Sequence, residues 1–259
     1  MIEHDNLEEY QDPHNYDLEF GGETEKYAFF LTLAQHHPGP ILELACGTGL
    51  TALPIAEAGF EVTGIDLSPA MLAHAQKKAA HLPVKLYHGN ALHLSLLLQQ
   101  QRYTLIYLTG NAFQCFLTHH DQVQLLQGIR THLAAGGVFA FETRNPSGTD
   151  LSPITEAEPW GHFTNHQGDE VSVCGTQQYD DATDIMHWTT IRRWGNHVHH
   201  TRTACKFTQP VALTQLLANN GFSVIAQYGH WDQRPLHADS PLIISVCQLS
   251  EPPTPVQPI

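Results

Sequence analysis

The stretch ILELACGTGL, residues 41–50, carries the pattern that determines the expected fold. Residues 41–45 form an apolar run of strand length, and residues 50–58 have the composition of a helix. Gly47 and Gly49, which lack Cβ atoms, allow a tight turn between the two and the close approach of a ligand to the backbone. The start of the following helix presents free N–H groups. The stretch therefore predicts a nucleotide-cofactor site at the carboxyl edge of a sheet.

The same alternation of strand and helix continues through the first half of the chain. Buried strands are predicted at residues 41–45, 61–65, 84–88, 104–108 and 138–143, and helices at 23–35, 50–58, 69–80 and 122–133. Alternation of this kind indicates an α/β fold with a Rossmann-like, doubly wound parallel sheet.

The pattern changes after residue 148. Residues 170–179, 185–194 and 197–207 predict three strands with no helix between them, which favours an antiparallel ribbon inserted into the α/β fold. A helix at 208–220 and strands at 222–228 and 242–249 follow. The last two strands indicate a closing antiparallel hairpin.

Composition excludes several classes of protein. The 259 residues suit one large α/β domain or two small ones, and 42% apolar with 15% charged residues describes a globular chain. The 12 basic and 26 acidic residues give a net charge of −14, which argues against a nucleic-acid partner. The basic pair Arg192-Arg193 is accordingly expected at a solvated strand edge.

The sequence also predicts where the protein is located and whether it binds a metal. No apolar run approaches the roughly 18–20 residues of a membrane helix, and the acidic N-terminus lacks the features of a signal peptide. The five cysteines are odd in number and widely spaced, which favours a reducing cytoplasm and no disulfides. The 19 histidines show no metal-ligand spacing, so we expect surface histidines and no metal site.

A second motif, GIDLSPAML at residues 64–72, narrows the choice of cofactor. Asp66 ends the second predicted strand, where a carboxylate can accept two hydrogen bonds from a ribose diol. Ser68 already provides a helix N-cap, so Asp66 is not needed for that role. Gly47-x-Gly49-x-x-Ala52 matches a dinucleotide fingerprint, but the same features describe an S-adenosylmethionine site. Glu43 inside the strand and the absence of a Tyr-x-x-x-Lys motif favour S-adenosylmethionine.

Five motifs in order resemble the class I S-adenosylmethionine-dependent methyltransferases, and most closely the bacterial small-molecule type. They are ILELACGTG, GIDLSPAML, HGNALHL, YTLIYLTGNAFQCFLT and LAAGGVFAFETRNP, and they cover residues 41–146. The resemblance implies methyl transfer to a nitrogen or oxygen nucleophile of a small molecule. It also implies a helical lid at residues 1–40 and a cofactor domain at 41–149 and 208–250. The strand pattern places the inserted antiparallel cap at 150–207, and the Pro-rich composition of residues 251–259 predicts a disordered tail.

The resemblance also implies a set of cofactor contacts. The methionine and ribose region would be lined by Glu43, Ala45, Gly47, Gly49, Asp66, Thr109 and Gly110, and the adenine by Leu67, Met71, Asn90 and Ala91. A core role is equally open for Met71, and Asn90 stands where the family usually has Asp. Asn111 and Phe113 would face cofactor or substrate, although helix packing is as well supported for Phe113 and Phe116. Tyr16, or alternatively Tyr10, would approach the methionine end from the lid.

Candidate catalytic residues follow from the loops beyond the carboxyl ends of the strands. These loops hold Arg144, which could bind a substrate carboxylate, and the candidate bases His162 and His230. The inserted segment either caps the pocket or builds a homodimer. Two other hypotheses stay open from sequence alone: an NAD-dependent oxidoreductase on the same fold, and a non-catalytic module that binds S-adenosylmethionine.

Overall fold

The computed structural model describes residues 6–22 and 24–250, and the predicted tail at 251–259 lies outside this part of the chain. Its first sheet has seven strands in the order β10-β11-β5-β4-β1-β2-β3. These strands are β1 (Ile41–Leu44), β2 (Val62–Asp66), β3 (Val84–His88), β4 (Tyr103–Leu108), β5 (Leu133–Arg144), β10 (Phe222–Tyr228) and β11 (Leu242–Leu249). Strands β1 to β5 are parallel, whereas β11 is antiparallel to both β5 and β10. The predicted doubly wound sheet with an antiparallel closing hairpin is confirmed.

Helices cover both faces of this sheet. They are α1 (Pro13–Phe20), α2 (Glu25–His36), α3 (Ala52–Glu57), α4 (Pro69–Lys78), α5 (Leu94–Leu98), α6 (His119–His132) and α7 (Pro210–Asn219). Because side chains alternate along a strand, Leu42 and Leu44 pack into the apolar core on one face while Ile41 packs into the core on the other. No helix in the described ranges combines the length and the apolar character needed to cross a membrane.

A second, antiparallel sheet is inserted between β5 and α7. Its four strands, in order, are β6 (Ile154–Thr164), β7 (Glu170–Asp180), β8 (Ile185–Trp194) and β9 (His197–Lys206). The sequence predicted three strands here and missed β6. This strand is exposed along almost its whole length, contains Pro159 and Gly161, and shifts register twice against β7. It therefore lacks the alternating apolar pattern by which a strand is recognised.

Two further predictions are corrected by the structure. Residues 133–137, predicted to end a helix and form a loop, belong to β5, which pairs from Leu133 onward with β4. The pair Arg192-Arg193 does not lie at a sheet edge, because β8 is an inner strand of the inserted sheet, and only Arg193 is exposed. Arg192 is 9% exposed and lies against residues 6–22, which we call the N-terminal segment. Its guanidinium forms ion pairs with Glu9 and Glu19.

Candidate functional site

The turn after β1 adopts left-handed backbone conformations that suit glycine. Gly47 and Gly49 have φ angles of +54° and +80°, and Ala45 adopts φ +56° without the freedom of a glycine. A Cβ added to Gly49 would lie 2.8 Å from the Cγ atom of Leu53, so the turn and the next helix pack too tightly for a side chain there. The backbone of this turn therefore forms a bare edge at the carboxyl end of β1.

Asp66, the last residue of β2, is held against this turn. Its Oδ2 accepts a 2.7 Å hydrogen bond from the Gly47 N–H, and its Oδ1 accepts one of the same length from the Ser68 N–H. Ser68 caps α4 with its hydroxyl, as expected. Burial raises the pKa of Asp66 above its ordinary value, although the backbone N–H donors work in the opposite direction. Each carboxylate oxygen keeps a further lone pair for a ligand.

A cavity of about 250 Å³ opens at this point, and we call it the glycine-turn cavity. Ten residues that the sequence proposed as cofactor contacts line it: Tyr16, Ala45, Gly47, Asp66, Leu67, Met71, Asn90, Ala91, Thr109 and Gly110. Tyr10, the alternative to Tyr16, lines it as well, and the two rings meet edge to face at 5.8 Å. Sequence reasoning did not propose Asn6, Leu7, Ile65, Gly89, Leu92, Ala112, Cys115 or Asp121, which complete the wall with Phe116.

Three proposed contacts lie outside the wall that the described residues form around this cavity: Glu43, Gly49 and Asn111. Glu43 is only 1% exposed and accepts a 3.0 Å hydrogen bond from the Tyr107 hydroxyl. Burial raises its pKa to about 8, although the nearby charge of Lys26 works against this. Glu43 therefore links β1 to β4 through Tyr107, and its contact with a cofactor stays a prediction. Phe113 is also buried, packed 4.4 Å from the ring of Phe141, so the core interpretation holds for it.

A larger cavity, of about 800 Å³, lies between the two sheets and the N-terminal segment. This inter-sheet cavity shares Asn6, Tyr10, Tyr16, Gly110 and Cys115 with the glycine-turn cavity. Trp160 and Trp188 contribute aromatic surface from the inserted sheet. The two cavities are therefore adjacent and meet at the carboxyl end of β4.

A third cavity, of about 630 Å³, lies between α2 and the end of β5. This α2–β5 cavity shares Lys26, Gly110, Asn111 and Arg144 with the inter-sheet cavity. Its wall includes Glu142, which sequence reasoning missed. A carboxylate within the apolar strand letters FAFET was the available signal, and it is the same signal that singled out Glu43 in ILEL.

The three candidate catalytic residues lie in different environments. Arg144 lines both larger cavities, and its guanidinium carbon lies 4.8 Å from the centre of the Trp188 ring. Among the described residues, no carboxylate is ion-paired with it. His162 lines the inter-sheet cavity from β6 rather than from a loop. His230 follows β10 and is absent from the described walls of all three cavities.

Comparisons with known proteins find similarity to methyltransferases. Residues 41–137 match the family model described as a methyltransferase domain. The YqeM protein of Bacillus subtilis (strain 168), a methyltransferase by name, is 26% identical over 72% of this chain and 74% of its own length. The glycine/sarcosine N-methyltransferase of Aphanothece halophytica is 26% identical over 82% of this chain and 77% of its own.

Solved structures show the same architecture. The CcbJ methyltransferase from Streptomyces caelestis superposes with a TM-score of 0.77 at 23% identity, over 93% of this chain and 100% of that chain. Residues 41–137, which match a methyltransferase domain, include the glycine turn after β1, and the solved methyltransferase structure shares the fold of the chain. These comparisons give the nicotinamide hypothesis no support.

Proposed function

We propose that the enzyme methylates a nitrogen or oxygen nucleophile of a small molecule that carries an acidic group. The glycine-turn cavity would hold the cofactor and the inter-sheet cavity the acceptor. The observation that carries this proposal is that both cavities meet at Gly110, with Tyr10 and Tyr16 in both walls. Methyl transfer requires this arrangement, because donor and acceptor must be held end to end.

The residues of the glycine-turn cavity fit S-adenosylmethionine. The Asp66 carboxylate retains lone pairs for two ribose hydroxyls, and Leu67 and Met71 offer apolar surface for the adenine. Asn90 stands where the family usually has an acid, and its side-chain carbonyl already accepts from the Leu92 N–H with one lone pair to spare. The Thr109 hydroxyl is buried in this wall and has no hydrogen-bond partner among the described residues, so a ligand could satisfy it.

The N-terminal segment fits the role of a lid. Asn6 exchanges two hydrogen bonds with the backbone of Ala204 in β9, while Asp17 bonds Thr48 beside the glycine turn and Lys78 in α4. The segment thus bridges the inserted sheet and the cofactor side of the parallel sheet. Tyr10 and Tyr16, between these attachment points, close the cavity over the cofactor.

The chain contributes alignment and exclusion of water. When bound, S-adenosylmethionine supplies an electrophilic methyl group on a positively charged sulfur, and its reactivity belongs to the cofactor. The tyrosines and the aromatic wall of Trp160 and Trp188 keep solvent from the meeting point of the cavities. Arg144, held over Trp188, can bind a carboxylate of the acceptor with two parallel hydrogen bonds and so orient the nucleophile.

The name of one relative supports a small, acidic acceptor, and the overall charge separately disfavours nucleic acid. The relative from Aphanothece halophytica acts, by its name, on glycine and sarcosine, which are amines with a carboxylate. The net charge of −14 disfavours nucleic acid as the substrate.

Residues of β6, β7, β8 and β9 line the inter-sheet cavity, which supports a capping role for the inserted sheet in preference to a dimer interface. The five cysteines are all free thiols, which supports a cytoplasmic enzyme.

An acceptor screen tests this proposal. Small amines and alcohols, each offered as the free acid and as the matching amide, are incubated with S-adenosylmethionine, and S-adenosylhomocysteine is quantified. We expect turnover with acids and not with their amides. Arg144→Ala should raise KM for the best acid about tenfold or more, because a charge-assisted hydrogen bond is lost.

Arg193→Ala provides the matched control, because Arg193 is exposed on β8 and absent from the described walls of the three cavities. This variant should behave like the wild type. Equal turnover of acids and amides, or an unchanged KM in Arg144→Ala, would contradict the assignment of an acidic acceptor.

A further inference from the structure

Glu142 is a buried carboxylate with one oxygen left without a partner. It is 4% exposed and lies near the carboxyl end of β5, in the wall of the α2–β5 cavity. Its Oε1 accepts a 2.9 Å hydrogen bond from the Asn111 N–H. Its Oε2 has no hydrogen-bond partner among the described residues. A buried carboxylate oxygen without a hydrogen-bond partner costs free energy. A ligand that donates a hydrogen bond to this oxygen therefore binds strongly.

The position of Glu142 connects it to the proposed reaction centre. The backbone that it holds, Gly110-Asn111, is the point at which all three cavities approach one another. Asn111 adopts φ +60°, and its Oδ1 is a second buried acceptor without a partner in the described chain. Arg144 lies two residues further along β5 and lines both the α2–β5 cavity and the inter-sheet cavity proposed for the acceptor, so an acceptor held by Arg144 reaches both. A ligand whose carboxylate is held by Arg144 would therefore place another of its polar groups beside Glu142 Oε2 and Asn111 Oδ1.

We propose that Glu142 binds the amino group of the acceptor and accepts its proton, so that the nucleophile is an amine nitrogen. This inference rests on the proposed function and adds the choice of nitrogen over oxygen. An ammonium compensates the buried carboxylate and can donate to both Glu142 Oε2 and Asn111 Oδ1. A neutral hydroxyl provides no such charge.

The charges around Glu142 suit a proton acceptor. Burial raises its pKa to about 7, while the Asn111 N–H and Lys26 act in the opposite direction. Among the described residues, the other charged groups that face the same cavity are Lys26 and Glu25 from α2 and Arg144 from β5. A carboxylate with a pKa near neutrality can take a proton from an ammonium, whereas an alcohol holds its proton too strongly.

The transfer balances with this single proton acceptor. The ammonium gives one proton to Glu142 Oε2, and the freed nitrogen lone pair forms the new bond to the methyl carbon while the carbon–sulfur electron pair stays on sulfur. The methylated nitrogen carries the positive charge that the sulfur has lost. Glu142 then releases its proton to solvent through the α2–β5 cavity.

Sinefungin provides a test that does not depend on knowing the acceptor. This analogue carries a primary ammonium in place of the methylated sulfur, whereas S-adenosylhomocysteine carries a neutral thioether there. Calorimetry of both ligands from pH 6 to pH 8.5 compares wild type with Glu142→Gln, which keeps the shape of the side chain. We expect Glu142→Gln to weaken sinefungin about tenfold or more while S-adenosylhomocysteine changes less than about twofold, because only the charge-assisted bond is lost. In the wild type, sinefungin should bind more tightly as pH rises through 7, because Glu142 becomes ionised. In Glu142→Gln this pH dependence should be absent.

Further variants separate the possible failures. Glu61→Gln, which changes a half-exposed carboxylate paired with Lys85, should leave both ligands unaffected. Equal weakening of both ligands in Glu142→Gln would show a structural role and overturn the inference, as would no change in either. Failure of the wild type to bind S-adenosylhomocysteine would instead contradict the proposed cofactor site. In the acceptor screen, turnover of alcohols but not of the matching amines would also overturn the choice of nitrogen.

Discussion

Two buried carboxylates, Glu43 and Glu142, dominate the electrostatics of the site at the scale of single residues. Each lies on a central strand, accepts one hydrogen bond and has its pKa raised by burial. They differ in access, because Glu142 lines the α2–β5 cavity whereas Glu43 is absent from the described walls of the three cavities. The same residue type therefore has two roles, the proposed ligand contact at Glu142 and a buried link between β1 and β4 at Glu43.

The raised pKa of Glu43 predicts a pH dependence of stability. Below its ordinary pKa of 4.5 the carboxyl is protonated in both the folded and the unfolded chain. As pH rises from 4.5 to about 8, the unfolded chain ionises first, so this group lowers the free energy of unfolding across that window. Glu43→Gln removes the effect, because the side chain of glutamine does not ionise. The variant should match the wild type near pH 5 and exceed it near pH 9 by at least about 1 kcal/mol, or about 2–4 °C in melting temperature.

Thermal unfolding at pH 5, 7 and 9 measures this difference directly. Glu142 titrates in a similar window but is present in both proteins, so its contribution cancels. Glu61→Gln, at a half-exposed site, is the control and should show no pH-dependent difference. A Glu43→Gln variant that is less stable at pH 9 than at pH 5, each relative to wild type, would contradict the account of Glu43.

At this scale the sequence predicted which residues lie near the glycine-turn cavity better than it predicted whether their side chains reach its wall. Asp66, Gly47 and Gly110 could be placed because each follows a strand at the carboxyl edge of a parallel sheet. Glu43, expected in the methionine and ribose region, lies outside the wall that the described residues form around the glycine-turn cavity, so its contact with a cofactor stays a prediction. Glu142 was missed because its neighbours in the sequence mark a core strand.

At the scale of elements, the N-terminal segment is held to the inserted sheet by ion pairs of contrasting burial. Arg192 in β8 is buried and binds Glu9 and Glu19, and Thr201 also donates to Glu9. Arg202 in the neighbouring β9 pairs with Glu8 at the surface. These contacts hold the segment that carries Tyr10 and Tyr16 over the glycine-turn cavity.

This contrast predicts unequal effects of two arginine substitutions. Arg192→Ala leaves two largely buried carboxylates without a cation, so it should destabilise the protein by about 3 kcal/mol. Arg202→Ala, the matched control, should cost less than about 1 kcal/mol, because its pair is exposed and screened. Because the segment covers the cofactor cavity, Arg192→Ala should also speed the release of S-adenosylhomocysteine. Chemical denaturation and stopped-flow dissociation measure the two quantities, and similar values for both variants would argue against a segment held by Arg192.

Element prediction succeeded where local pattern decides the structure. Short apolar runs, glycine turns and the Ser68 cap predict the β-α alternation from residue 41 to residue 144. Strand β6 and helix α1 lack such runs, because β6 is mostly exposed and α1 has no buried residue. The buried position of Arg192 arises from residues far apart in sequence, which no local pattern records.

At the scale of the whole molecule, the proposed active centre is assembled from three parts of the chain. The parallel sheet supplies the glycine turn and Asp66, the inserted sheet supplies Trp160 and Trp188, and the N-terminal segment closes the space between them. A ligand that fills the glycine-turn cavity contacts both the parallel sheet and the segment. Its binding should therefore stabilise the molecule as a unit against unfolding.

Thermal unfolding with S-adenosylmethionine, S-adenosylhomocysteine, NAD and NADP, on the wild type and on Asp66→Ala, tests the central claim most directly. A ligand at about 100 times its dissociation constant adds about 2.7 kcal/mol to the free energy of unfolding. For a chain of this size that corresponds to about 5–10 °C in melting temperature. We predict this shift for the two adenosyl-sulfur compounds with the wild type, no shift with NAD or NADP, and its loss in Asp66→Ala. A shift with NAD or NADP alone, or an undiminished shift in Asp66→Ala, would contradict the assignment of the cofactor site.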